Sequence, residues 1–351
     1  MGLFELKIRQ FSKIMKWAEM QEVSQLRQFL FDDKCSNRLF VASGGSFSAA
    51  AYAELLATDK GFMSHALTPL LYMGSGFSRI ATKVLLISAS GCNNDIVRAY
   101  NNEYRTTKQK VGVVVLTPKG KLQSLLQEDD SASLFEYAIP TGRDGFLSTT
   151  TIVAFYALLY RAFGYTDLNS VNTDITESEH NDINNFVEQL KCISLNEMTA
   201  HEAFLHKLEG VDSFFILYSA KSYPVALDIE SKFSEGAVGN TQLADYRNFA
   251  HGRFNWFTQR PGQTGLICLQ TPDDIEMSEE ILSMIPEHVP SLRISTTHNT
   301  PIAAIDLLIK EHYLCSAIGQ RWGLDLSRPI VPEYIIRKTK CFRILERNAK
   351  I

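Results

Sequence analysis

A plan of strand, small-residue turn and helix occurs twice along this chain, and it limits the possible folds more than any other feature. Residues 39–57 run from the apolar Leu39-Phe40-Val41 through Ser43-Gly44-Gly45-Ser46 into an alanine-rich helical stretch ending near Ala57. Residues 213–230 follow the same plan: Phe214 to Tyr218, then Ser219-Ala220-Lys221-Ser222-Tyr223-Pro224, then a helix from about Val225. Each copy is followed by further short apolar runs, at 84–88 and 111–116 in the first half and at 265–269 and 291–295 in the second. Unbroken apolar runs of this length mark strands covered on both faces, and helical stretches lie between them. The expected fold class is therefore α/β, two tandem domains, each a parallel sheet flanked by helices in three layers.

The 351 residues, at about 150 per domain, agree with two domains. The expected divisions are an N-terminal helical segment 1–38, a first domain 39–170, connecting helices 171–208, a second domain 209–325 and a tail 326–351 that closes the site. In the N-terminal segment, Leu3, Ile8, Phe11, Ile14, Met15 and Ala18 predict an amphipathic helix packed on the first domain or on a partner chain.

Charge and patterning remove several function classes. Thirty-five Lys and Arg against 39 Asp and Glu give a net charge of −4, which does not suit a generally basic nucleic-acid binder. No apolar run is long enough to span a bilayer, so no membrane partner is expected. Glu5 and Lys7 interrupt any signal peptide, and Leu6 stands where myristoylation needs Ser or Thr. The expected location is cytoplasmic. Six cysteines (Cys35, Cys92, Cys192, Cys268, Cys315 and Cys341) are scattered singly without metal-site spacing, and are read as reduced, mostly buried thiols. No metal and no other cofactor is expected.

In open parallel sheets, ligands sit beyond the carboxyl ends of the strands. Two loops fall there, Ser43–Ser46 and Ser88–Asp95. The second places Ser88, Ser90, Gly91 and Asn93 just before a helix predicted from about Asp95. Free amides at a helix start with adjacent hydroxyls make an anion seat, and the same residues also make an ordinary N-cap. Two such loops at one sheet edge favour the anion seat. In the second half, Lys232 and Glu235 share a helix face and can be a surface ion pair. Glu235 precedes Gly236 at a predicted helix end and, if buried, can instead shuttle a proton. His251, before Gly252 in a predicted turn, is either an acid–base group or a histidine packed among Phe249, Phe254, Trp256 and Phe257.

These segments resemble the sugar isomerase (SIS) domain family. Ser43-Gly44-Gly45-Ser46 and Ile87-Ser88-Ala89-Ser90-Gly91-Cys92-Asn93-Asn94-Asp95 are similar to its two hallmark loops, a small-Gly-x-Ser loop and a Ser-x-Ser-Gly-x-Thr-x-Asp/Glu loop. Asp144-Gly145-Phe146-Leu147-Ser148-Thr149 resembles the family's Gly-x-x-Ser-Thr-Lys segment. The order and spacing of Tyr223-Pro224, Lys232, Glu235 and His251-Gly252 resemble the second SIS domain in the isomerase half of glucosamine-6-phosphate synthase. The chain departs from that pattern at Ala89 and Asn93, at Thr150 (Lys in the synthase), at Arg253 (Pro) and at Tyr334, which falls on the lysine that opens the sugar as an imine. It begins directly at the helix preceding the first SIS domain, so ammonia generation from glutamine is not expected of it.

The resemblance implies a sugar-phosphate ligand held by Ser43, Ser46, Ser88, Ser90, Asn93, Ser148 and Thr149, and a catalytic group of Glu235, His251 and Lys232. It also implies a homodimer in which the His251-Gly252 turn reaches the neighbouring subunit. The activities to expect are isomerase, deaminase or deglycase; the alternative is a sensor or regulatory subunit that binds without turnover. A third possibility is an interaction protein, hinted at only by the aromatic segment 254–257.

Overall fold

The computed structural model describes residues 2–32, 37–74, 76–79, 83–101, 110–127, 129–171, 195–328 and residue 330. The predicted buried runs are strands. The first sheet holds β1 (Asn37–Val41), β2 (Met63–Leu67), β3 (Lys83–Ile87), β4 (Lys110–Val115) and β5 (Ala132–Glu136), in the order β2-β1-β3-β4-β5. The second holds β6 (Ser213–Tyr218), β7 (Asn240–Asp245), β8 (Thr264–Gln270) and β9 (Ser291–Ser295), in the order β7-β6-β8-β9. Every pairing is parallel, with β1 and β3 in register from Arg38–Lys83 to Val41–Leu86 and β6 and β8 from Ser213–Thr264 to Leu217–Cys268. The second sheet thus repeats the order of the first without its fifth strand.

Alternation along each strand assigns the layers. On the first sheet, Leu39, Val41, Val84, Leu86, Val113 and Val115 face one way and pack against Ile96, Val97, Tyr100 and Leu122. Their neighbours Phe40, Leu85 and Val114 face the other way and join a core that also contains Ile216, Ile267 and Ile294 of the second sheet. That shared core is built on the helices Phe47–Asp59, Thr150–Ala162, Tyr223–Glu235 and Ala303–Arg321, which lie between the sheets. Thr150–Ala162 and Ala303–Arg321 are buried over almost their whole length; the first is apolar nearly throughout, whereas the second also buries Asp306, Lys310, Glu311 and His312. The outer face of the second sheet packs Phe215, Leu217, Leu266 and Cys268 on Tyr246, Phe249 and Phe257.

Two expectations change. The N-terminal stretch is three helices, Leu3–Ile8, Phe11–Met20 and Ser24–Phe31, broken at Arg9–Gln10 and Gln21–Val23, rather than one. Strands β2, β5 and β7 occupy sequence with no apolar run; each lies at an edge of its sheet, as β9 does, with one flank lacking a strand partner. Of the predicted connecting helices, Leu195–His206 is seen; the stretch 172–194 lies outside the described residues. Among the described cysteines, Cys268 and Cys315 are buried, Cys92 is exposed, and all are unpaired; Cys35, Cys192 and Cys341 lie outside them. No helix among the described residues is long and apolar enough to cross a membrane.

Candidate functional site

The chain leaves β1 and β3 toward opposite sides of the first sheet, so a crevice opens between their carboxyl ends. From β1 the chain enters the 3-10 turn Gly44–Ser46, with Gly44 at φ 56°. From β3 it enters Ser88–Asn93, where Gly91 at φ 63° turns its carbonyl back to accept from the Leu122 amide at 2.9 Å. A φ of 63° strains any residue with a side chain, and a Cβ at Gly91 would also stand 2.3 Å from Gln123 Oε1, so glycine suits this close approach to the helix that follows β4. The loop 141–149 supplies the third wall and meets the first: a Cβ at Gly45 would stand 3.1 Å from Ser148 Cβ.

These walls enclose a cleft of about 350 Å³. Of the predicted ligand residues, Ser46, Ser90 and Ser148 line it, and Glu235 reaches it from the second domain. Ser43, Ser88, Asn93 and Thr149 do not line it, and three of these have local roles. The buried Ser88 accepts from the Gly91 amide at 3.2 Å, and Asn93 Oδ1 accepts from the Asp95 and Ile96 amides at 3.0 and 3.1 Å, an N-cap. The fully buried Thr149 hydroxyl donates to the Leu147 carbonyl at 3.2 Å. Ser90 Oγ accepts from the Cys92 amide at 3.2 Å, which leaves its own hydroxyl proton to donate.

Reading the sequence did not assign ligand roles to the loop residues Arg143 and Asp144 or to Thr117, just after β4, all of which line the cleft. Asp144 organises the wall. Its carboxylate accepts from the Thr149, Thr150 and Thr151 amides at 2.8–3.1 Å and from the Thr150 and Thr151 hydroxyls at 2.6 Å. It therefore caps the start of the Thr150–Ala162 helix from outside the helix. Lys7 of the first helix stands 3.9 Å from Asp144 and donates to the Thr141 and Gly142 carbonyls at 2.5 and 3.3 Å. The same wall is tied to the tail, where the Ser327 carbonyl accepts from the Phe146 amide at 3.1 Å and Ser327 Oγ accepts from the Phe4 amide at 2.8 Å. The short motif comparison could signal Ser148 but not a cap reaching across five residues.

Glu235 closes the Tyr223–Glu235 helix, as its position before Gly236 suggested. Its side chain is exposed to the cleft, yet the protein crowded around it withholds part of its hydration and pushes its carboxyl above the ordinary value, and the Asp228 and Glu230 carboxylates act in the same direction. A hydrogen bond from Ser231 at 2.9 Å and the Lys232 ammonium pull the other way.

Lys232, the third member of the expected catalytic group, neither lines the cleft nor forms the alternative surface pair with Glu235. It is buried one turn back, bonded to Asp228 Oδ2, with Glu311 Oε1 at 3.4 Å. Ser48 of the first domain donates to Asp228 Oδ1 at 3.0 Å, and His312 packs beside Glu311. Burial raises Asp228 to about 6, with Glu311 adding to the shift and Lys232 opposing it, and burial raises Glu311 too. Burial alone would lower Lys232, but its two carboxylate partners hold it above the ordinary lysine value. Burial and the Lys232 charge lower His312 to about 3, so it is neutral. Asp228, Glu311 and His312 offer ligand atoms within 4.8 Å of one another, the geometry of a small cation site, and the Lys232 ammonium already supplies that charge.

His251 lies elsewhere. It is exposed at the end of the Tyr246–Ala250 helix, before Gly252 at φ 117°, and does not line the cleft of its own chain. The aromatic segment after it divides: Phe257 is buried, Trp256 donates to Thr264 Oγ1 at 2.8 Å, and Phe254 is exposed. Tyr334 lies outside the described residues.

Comparison with protein-family models and with curated proteins finds no match. Solved structures do match across almost the whole chain. The tagatose-6-phosphate ketose/aldose isomerase from Escherichia coli superposes with a TM-score of 0.67 at 16% identity, over 94% of this chain and 96% of that one. The C-terminal domain of glucosamine-fructose-6-phosphate aminotransferase from Francisella tularensis gives 0.64 at 12%, over 93% and 98%. Glucosamine-6-phosphate deaminase from Thermotoga maritima gives 0.63 at 13%, over 93% and 97%. Identities this low speak to architecture. The chain has the α/β fold of the SIS-type sugar isomerases, with two SIS-like domains.

Proposed function

We propose that the cleft binds a sugar phosphate and that the chain isomerises it between ketose and aldose forms. The observation that carries this reading is Glu235, delivered by the second domain into a cleft whose other walls are the hydroxyl-bearing loops of the first. In an enediol mechanism, a base takes the proton from the carbon next to the carbonyl and returns it to the former carbonyl carbon. A carboxylate with a raised affinity for protons suits both halves of that transfer. Ser46, Ser90 and Ser148 would hold the phosphate and sugar hydroxyls. Ser43, Ser88, Asn93 and Thr149 would keep the loops in shape behind them. Lys232 would act by position, fixing the helix that ends at Glu235 and tempering that carboxyl with its charge. His251 would serve the cleft of a second copy in a homodimer, as the auxiliary acid–base group. Deaminase and deglycase chemistry use the same proton transfer and differ in the leaving amine. The neighbours named above include isomerase and deaminase activities and support a reading within this range.

One observation favours the second reading, a sensor: His251 stands away from the cleft of its own chain. A panel of ketose and aldose phosphates, followed by melting temperature and by product formation, separates the two. The enzyme reading expects turnover that falls about 100-fold or more in Glu235→Gln, with ligand affinity little changed. Stabilisation of the parent by a sugar phosphate that it never transforms would establish the sensor instead.

A further inference from the structure

The start of the Thr150–Ala162 helix, an ordinary anion seat, is filled by the Asp144 carboxylate, which takes three amides and two hydroxyls there. Asn93 is spent on its own helix cap, and Thr117 Oγ1 donates to the Ala89 carbonyl at 3.2 Å. Lys7 is consumed by Asp144 and two backbone carbonyls. What remains facing the cavity, among the described residues, is the hydroxyls and amides of the Gly45–Ser46 and Ala89–Ser90 stretches and one cation. Arg143 lines the cleft, is exposed, and among the described residues its guanidinium makes no hydrogen bond, ion pair or ring contact. Its neighbour Asp144 does not neutralise it, because both Asp144 oxygens are turned into the helix start. Hydroxyls and amides carry no net charge to set against that of an oxyanion, whereas a guanidinium is charged and matches two of its oxygens at once.

We propose that Arg143 is the residue that binds the anionic group of the ligand in this cleft, as a forked partner to a phosphate or carboxylate of the sugar. The proposal rests on the reading of the cleft as a sugar-phosphate site and adds which residue carries its charge recognition. The Glu235 side of the cleft, bearing the opposite charge, is then left to the uncharged reacting carbons.

The test is titration calorimetry on the full chain, comparing the parent with Arg143→Ala and Arg143→Lys against fructose 6-phosphate, gluconate and fructose. Melting curves without ligand check that the variants fold, which the exposure of Arg143 leads one to expect. Loss of one charge-assisted contact should weaken the anionic probe by about 10- to 100-fold in Arg143→Ala. Arg143→Lys should fall between, raised salt should erase part of the difference, and fructose should respond equally to all three proteins. A loss confined to fructose 6-phosphate assigns Arg143 to the phosphate, and a loss confined to gluconate assigns it to a carboxylate; either supports the proposal. A parent that binds these anions with affinities unchanged in Arg143→Ala overturns the role of Arg143 and leaves the cleft reading standing. A parent that binds neither anion overturns the cleft reading, and the proposal with it.

Discussion

Replacing Lys232 by methionine removes the cation from a cluster whose carboxylates, Asp228 and Glu311, have side chains with no solvent exposure at all. Methionine keeps the unbranched stem and approximate volume, so the perturbation is electrostatic. Two carboxylates would remain at the meeting of the Tyr223–Glu235 and Ala303–Arg321 helices, with Ser48 the hydroxyl donor to Asp228. Breaking a buried pair in this way costs about 3–5 kcal/mol. At roughly 2.1 cal/mol/K per residue, that corresponds to a fall of about 4–7 °C in Tm for a chain of this length. The pH dependence gives the sharper check. In the parent, Asp228 is raised from its ordinary 3.8 to about 6. The fold therefore favours the protonated form: its contribution is complete below the unfolded value and is lost as pH rises through about 6. Without Lys232 the carboxyls shift further up, so the variant should lose more stability at pH 8 than at pH 5, measured by thermal melts followed by circular dichroism. Asp228→Asn added to Lys232→Met should restore much of the loss. A Lys232→Met protein within about 1 kcal/mol of the parent, with the same difference at both pH values, would refute the ionised cluster.

Ser90→Ala should weaken a sugar phosphate about 10-fold while leaving Tm within 1–2 °C on the same size scaling, because Ser90 lines the cleft and only its Cys92 amide contact is lost; a calorimetric titration reads this directly. Asp144→Ala strips the Thr150–Ala162 helix of its cap and should cost roughly 2 kcal/mol, seen as a lowered urea midpoint, with Asp144→Asn recovering part of it. Light scattering at micromolar concentration should report about twice 39.5 kDa; a monomer would remove the basis for placing His251 in a neighbour's cleft.

What could be read from the sequence follows burial. β3 and β8 are buried at every position, so their apolar runs are unbroken and legible. β2 and β7, at the sheet edges, are only partly buried, carry polar residues at several positions and have no such run. The loops at 43–46 and 88–93, where glycine and serine cluster, do border a cleft. Local composition was a poorer guide to which hydroxyls face it. Ser88 and Thr149 have the right residue type and turn inward, because nearby backbone groups claim them. Lys232 and Glu235 are three apart, yet one is buried and the other exposed, a difference set by Glu311 on a helix more than 70 residues away. No spacing rule within one helix anticipates a partner at that distance.

The strap that ties the cleft wall together also bears on how the chain acquires its shape during synthesis. The Phe4 amide meets Ser327 across a separation of 323 residues, and Lys7 meets the Thr141 carbonyl across 134. A ribosome delivers the first helix long before either partner exists, and delivers the first sheet with its wall untethered at one end. Contacts of such long separation form late, since the intervening chain must first be ordered. Through most of synthesis, then, the buried side of the first helix, with Phe4 and Ile8, waits as exposed apolar surface. A nascent chain stalled before residue 327 should be open to proteolysis in the 141–149 loop and to capture by chaperones, and releasing it should close both routes in one step.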